Sequence, residues 1–177
     1  MRQSKQNVSA KSNEQRNAYV IEHITNTFLE LLAEMPVENI SISDLTTKAE
    51  IGRASFYRNY TSKEDILCMY IKTLFAEWTK EQNKHPNASL SEQVRTMIAH
   101  FEKHRDFYEL LNKRGLTYML KDSIIGIYGP KPEHDMVQAY ASSFATYTLY
   151  GWIDTWFRRG MKETSDELYE MFKAQGL

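Results

Sequence analysis

The sequence predicts an all-α protein, and three observations predict it. Apolar residues recur at spacings of three and four along extended runs. Glycine and proline are scarce, seven and four in 177 residues, so little interrupts those runs. No stretch alternates apolar and polar residues with the period of two that a half-buried strand needs. A hydrophobic share of 42% with 25% charge is globular composition, and the length allows an ordinary core.

The elements follow in order. Residues 1–12 are polar, with Arg2, Lys5 and Lys11, and predict a flexible basic arm. From Asn13 to Met35, the residues Ile21, Ile24, Phe28, Leu31, Leu32 and Met35 fall on one helical face, and Pro36 stops the helix. Residues 37–42 read as an extended connection with Ile40 and Ile42 turned inward. Ser43 reads as the cap of a second helix, with Asp44 in its first turn and Leu45 and Ala49 facing the core. Glu50–Ile51–Gly52 turns the chain into a third helix, Arg53–Tyr60, held by Phe56 and Tyr60. Thr61 or Ser62 caps a fourth helix that carries Ile66, Leu67, Ile71, Leu74, Phe75 and Trp78 and fades near His85.

Beyond a Pro-Asn-Ala-Ser loop, Ser89 or Ser91 starts a fifth helix. A short sixth, Arg105–Lys113, ends at Gly115, and an apolar seventh runs Leu116–Tyr128. Gly129–Pro130–Lys131–Pro132 is a break. A long helix follows from Pro132 or Glu133 to about Arg159. Thr164 or Ser165 caps a last one carrying Leu168, Tyr169 and Phe172. About nine helices result. They divide as the arm at 1–12, a helix-turn-helix domain at 13–67, with the fourth helix leading out of it, and a helical domain at 68–177.

Composition narrows the function. The single cysteine, Cys68, excludes an internal disulfide and a cysteine-built zinc site, and reads as a buried thiol in a reducing compartment. No leader-like apolar segment opens the chain and no run of about 18 apolar residues exists, so a cytoplasmic protein without a membrane partner is expected. No phosphate-binding glycine loop, nucleophile triad or metal box appears, so neither an enzyme nor a cofactor is expected. His100 and His104 are four apart on the fifth helix, a spacing that can share a metal, but a solvated or interface pair is the plainer reading.

Net charge is −1, which by itself argues against nucleic acid. The distribution argues for it. Between Arg53 and Lys63 the only charges are Arg53, Arg58 and Lys63, all basic. The third helix offers Arg53, Ser55, Tyr57, Arg58 and Asn59 outward. Arg pairs with guanine, Asn with adenine, Ser with either, and Tyr and Lys with phosphate; the small Ala54 suits a thymine methyl. Ser43, at the mouth of the second helix, suits a backbone phosphate. Two plainer readings stand beside these: Tyr57 as a half-buried packing residue and Arg58 as a solvated charge.

The run Ile42-Ser43-Asp44-Leu45, Ala49-Glu50-Ile51-Gly52-Arg53-Ala54-Ser55-Phe56-Tyr57-Arg58-Asn59-Tyr60, Lys63-Glu64 and Ile66-Leu67 resembles the DNA-binding signature of the TetR family of transcriptional regulators. The resemblance covers Asn13 to about Trp78 in motif, and the rest only in plan. It implies DNA contacts from Ser43, Arg53, Ser55, Tyr57, Arg58, Asn59 and Lys63, with Arg53 and Asn59 as base readers and Tyr57 and Lys63 as phosphate anchors. The chain departs from the pattern at Glu50, where the turn usually has Gly, and at Thr46, where a small residue is usual. Asn59 and Tyr60 stand where His and Phe are common.

In the C-terminal half, small residues interleave with aromatics along the long helix, which reads as buried on both sides. One side faces the core. The other, with the last helix, predicts a twofold homodimer through Ala141, Ala145, Thr148, Trp152, Trp156, Leu168 and Phe172. Tyr118, Tyr128, Tyr140, Phe144, Tyr147 and Trp152 are expected to line an effector pocket for an unidentified small molecule. The function expected is a homodimeric repressor on a near-palindromic double-stranded DNA operator, released by that effector. The alternatives are a helical interaction module and a small enzyme without DNA binding.

Overall fold

The computed structural model describes residues 2–85 and 87–175, with side chains described from residue 13 onward except that of residue 90. The side chains of the expected basic arm therefore lie outside the described residues. Helices α1 (Arg2–Glu34), α2 (Ile42–Lys48), α3 (Arg53–Asn59), α4 (Glu64–Gln82), α5 (Leu90–Lys103), α6 (Arg105–Lys113), α7 (Thr117–Tyr128), α8 (Met136–Arg158) and α9 (Ser165–Ala174) follow one another, with one 3-10 turn at Val37–Asn39. No strand occurs among the described residues, and no helix among them is long and apolar enough to cross a membrane. The chain forms two compact units, Met1–Tyr70 and Ile71–Leu177. The division falls inside α4.

The first unit is built on α1, which packs against both α2 and α3. Ile24, Phe28 and Leu32 of α1 meet Leu45 of α2, Phe56 of α3 and Ile66 and Leu67 of α4 in a core closed to solvent. Burying each such side chain contributes about 1.5–3 kcal/mol. Helix α1 is helical from Arg2 and not from Asn13, and the start of α2 also differs from expectation. The cap of α2 is Ser41, not Ser43: Ser41 is extended, its hydroxyl accepts from the Asp44 amide at 3.0 Å, and Ser43 lies within the first turn. The spacing Ser41-x-x-Asp44 is a capping signature that outcompetes Ser43, because an acceptor must precede the turn it caps. Ile42 is consequently helical and half-exposed, and the connection before it is a 3-10 turn instead of a strand-like crossing.

The turn after α2 holds a backbone conformation that its residue disfavours. Ile51 N–H donates to Thr46 O at 3.0 Å and Glu50 N–H to Thr47 O at 3.1 Å, the paired bonds of a Schellman helix end. The same pairing closes α6 at Gly115 and α8 at Gly160, with φ of 70° and 79°. At the equivalent position of α2, Glu50 carries φ 56°. A side chain there costs about 1–2 kcal/mol, against about 0.5–1 kcal/mol for the freedom glycine loses on folding. Glu50→Gly is expected to stabilise the protein by about 1 kcal/mol, read as a higher urea midpoint at unchanged slope. A lower midpoint would mean that the Glu50 side chain contributes something its backbone strain conceals.

In the second unit, α9 packs on α5 and α8 on α7. Arg95 of α5 pairs with Asp166 of α9 at 2.7 Å and lies over the Tyr169 ring, while Glu102 accepts from the Ser165 amide. A chain of aromatic contacts runs from Phe75 through Phe101 and Tyr108 to Phe157 and Trp156. Helix α8 starts later than expected. Asp135 caps it with a full capping box to Gln138, so Pro132 lies in the preceding turn and not in the helix. Ser89 and Thr164 cap α5 and α9 by the same device.

Candidate nucleic-acid interface

Helix α3 is seven residues long, and its two faces have separate tasks. Phe56 and Tyr60 face inward, both buried, and the Tyr60 hydroxyl lies 3.4 Å from Thr25 Oγ1 on α1. Burial pushes the Tyr60 phenol above its usual range, so it stays neutral. Outward stand Arg53, Ala54, Tyr57 and Arg58, all exposed, with Ser55 and Asn59 half-exposed. Tyr57 is 59% exposed and only the edge of its ring meets Phe56, at 5.2 Å between centroids. Most of the Tyr57 ring is therefore open to a partner, while one edge still packs on Phe56. No acidic residue lies on α3, so the face presents positive charge alone.

Several of these side chains already have partners. Arg58 donates to Ser55 Oγ at 2.6 Å, and Asn59 Nδ2 donates to Ser55 O at 3.0 Å. The Asn59 amide thus closes its own helix, and reading a base requires it to let go. Arg53 and Tyr57 have no such commitment among the described hydrogen bonds. Ser43 lies exposed on α2 but caps nothing. Ser41, which the sequence reading passed over, supplies the cap.

Lys63 has the largest difference from its expected role. Its ammonium donates to Val37 O, to Ile40 O at 2.9 Å and to Glu38 O at 3.2 Å. Three ammonium hydrogens meet three carbonyls at the end of the 3-10 turn, so the side chain fastens the connection that carries α2. Lys63→Met leaves those carbonyls without their charged donor and is expected to cost about 2 kcal/mol by urea unfolding. Salt dependence separates this from a phosphate contact: loss of one phosphate contact per protomer lowers the salt slope of DNA binding by about 0.9 for each. An unchanged slope with lowered stability assigns Lys63 to the fold.

The expected pocket and dimer residues exchange places in the second unit. Trp156 and Phe172 are each 1% exposed and Leu168 is 6% exposed, so these three pack mainly within the protomer. The Trp156 indole donates to Glu163 O at 2.9 Å, which fixes it there. Conversely Tyr118, Tyr140 and Tyr147 are more than half exposed. A cavity of about 190 Å³ does exist, lined by Trp78, Val94, Met97, Tyr128, Phe144 and Phe172 among others. Only Tyr128 and Phe144 of the expected pocket set reach it. Trp152 borders a separate open groove with Trp156 and Met171. Tyr128 is fixed by its hydroxyl, 2.8 Å from Thr79 Oγ1, and burial raises its phenol above the usual range.

Outside, α8 carries Val137, Tyr140, Phe144 and Tyr147 at steps of three, four and three, followed by Gly151 after four more. These four side chains are all more than half exposed, Tyr140 reaching 76%. That spacing puts them in one stripe along the helix. Of the residues expected at a dimer contact, Ala141 is exposed beside the stripe, and Ala145, Thr148 and Trp152 are half-exposed.

The three-helix unit with its basic, aromatic second turn-helix, followed by a helical second unit, has a solved counterpart. The crystal structure of a TetR transcriptional regulator from Streptococcus agalactiae 2603V superposes with a TM-score of 0.62 at 20% identity, over 94% of this chain and 98% of that one. The fold is that of a TetR regulator. An uncharacterized HTH-type transcriptional regulator of Bacillus subtilis (strain 168), YxbF, is 42% identical over 57 residues, which is 32% of this chain. The chain spans 15% of that protein's length in the match. No family model matches the chain.

Proposed function

We propose that the protein is a TetR-type transcriptional regulator that binds a near-palindromic operator as a homodimer, through α3 in the major groove. The observation that carries this reading is the division of α3: two aromatics anchored in the core and an outer face of Arg53, Ala54, Tyr57 and Arg58 with no acidic neighbour on the helix. Arg53 reads a base and Tyr57 holds a phosphate. The exposed stripe of α8 meets the same stripe of a second copy, which sets two recognition helices about 34–36 Å apart, one turn of DNA. The operator-bound form acts as a repressor, and a small molecule in the second unit releases it by favouring a different spacing of the two α3 helices.

Selection of genomic fragments on the full-length protein, followed by sequencing, tests this. Enriched fragments should share an inverted repeat with half-sites about one DNA turn apart, and retention should fall steeply with salt. Fragments enriched without a shared motif, or retention indifferent to salt, would refute it.

A further inference from the structure

Two buried imidazole nitrogens in the second unit lack hydrogen-bond partners. His100 stands on α5 and His104 four residues on, where α5 ends and α6 begins. Their rings are 4.7 Å apart between centroids, and Nε2 of each is hidden from solvent with no donor or acceptor against it. A buried polar atom without a partner is rare and calls for an explanation. Two such atoms side by side, both lone-pair donors when neutral, call for the same one.

The third group is Glu77 on α4. Its Oε2 lies 3.7 Å from His104 Nε2, too far for a hydrogen bond. It is a few tenths of an ångström beyond the separation of two ligands on one ion: ligands about 2.0–2.2 Å from a tetrahedral zinc are about 3.4 Å apart. We propose that Glu77, His100 and His104 bind one divalent cation of the zinc class, with water completing its shell. Imidazole nitrogen with a single carboxylate selects zinc, nickel or copper over magnesium and calcium, which want oxygen.

Burial first, and then the neighbouring His104, lower His100 to about 4, and burial lowers His104 as well. As the side chains stand, no group of three His, Cys, Asp or Glu among the described residues is placed to hold a metal ion, and the set needs Glu77 to move. Glu77 is half-exposed, so a change of its rotamer closes the set around the ion.

The site links α4, the helix that follows the DNA-binding unit, to the α5–α6 corner. Occupancy ties Glu77 to that corner and stabilises the folded protein by mass action.

The test uses the full-length chain, stripped with chelator and titrated with Zn²⁺ and, separately, with Co²⁺ as a coloured reporter. About one equivalent should bind per chain, with a cobalt spectrum of nitrogen and oxygen ligands and a raised Tm. His100→Gln and Glu77→Gln should each weaken binding by about tenfold or more, since even residues behind the ligands of a metal matter that much. His134→Gln, on the loop before α8, should bind as the parent does. Because His104 joins two helices, His104→Gln is read with its helicity checked by circular dichroism. Failure of the parent to bind Zn²⁺, or unchanged affinity in folded His100→Gln, overturns the proposal. Either result leaves the DNA-binding reading untouched, because that reading is measured by operator retention.

Discussion

Tyr140→Glu combined with Phe144→Glu is expected to turn the protein into a monomer and to lower operator affinity by about a thousandfold or more. The two side chains are 76% and 59% exposed on α8, adjacent in one stripe with Val137 and Tyr147. A contiguous apolar stripe on a helix surface marks an interaction site. In a twofold contact each residue faces its own stripe on the partner, so two substitutions put four carboxylates into one interface. Their desolvation and repulsion oppose association directly. The DNA effect follows from linkage: joining two half-site readers gives the second an effective concentration of order millimolar, and a monomer loses it. The protomer itself should keep its helicity, because its core aromatics Trp156, Phe157 and Phe172 are buried on other faces. Light scattering measures the mass, and gel shift measures the affinity. A double variant that remains dimeric with full operator affinity would remove the α8 stripe from the proposed interface.

The stripe also shows where reading the sequence failed. Tyr140 and Tyr147 look like pocket residues because an aromatic on a helix is more often inside than out, while Phe144 is both exposed and at the cavity's edge. Trp156, Leu168 and Phe172 look equally available for a partner. Nothing in a one-dimensional pattern says which face of an all-round apolar helix meets its own chain. Helix α8 has small and large residues on every side, so its periodicity is weak and its orientation is decided by α7 and by the cavity its neighbours leave. The first unit was legible for the opposite reason. Its helices α2 and α3 are short and one-faced, with Phe56 and Tyr60 spaced for one buried edge and polar residues between them. Complete capping boxes were only partly legible: Ser89 and Thr164 were each one of two starts the sequence offered, and Asp135–Gln138 was passed over for Pro132 or Glu133. The cap of α2 was missed because Ser41 and Ser43 compete, and the side chain three residues on from Ser41 is Asp44, which decides the contest. Lys63 was read by its charge. Its partners are backbone carbonyls more than twenty residues away, and no local pattern encodes a contact with a carbonyl.

Arg53→Ala and Tyr57→Ala should each remove most operator binding while leaving the dimer and the fold intact. Both side chains are exposed on α3 and neither closes a described hydrogen bond, so removing them costs the free protein little. In this respect they differ from Asn59 and Lys63, whose substitution changes the fold and the interface together and cannot separate them. A base contact of arginine contributes about 1–3 kcal/mol, and a homodimer makes it twice, so Arg53→Ala should cost about 2–6 kcal/mol on the cognate operator. Its loss should also relax preference at one position of each half-site. Tyr57→Ala should weaken cognate and scrambled DNA alike, because a phosphate contact carries no sequence information. Tyr57→Phe sharpens the test: it keeps the ring against Phe56 and removes only the hydroxyl. Equal losses in the Ala and Phe variants assign the effect to the phosphate contact, whereas a loss confined to Ala assigns it to the ring. Gel shift on cognate and scrambled duplexes, with light scattering for mass, reads all three variants. If Arg53→Ala weakens both duplexes equally, its guanidinium holds phosphate, and base reading passes to Ser55, Arg58 and a released Asn59.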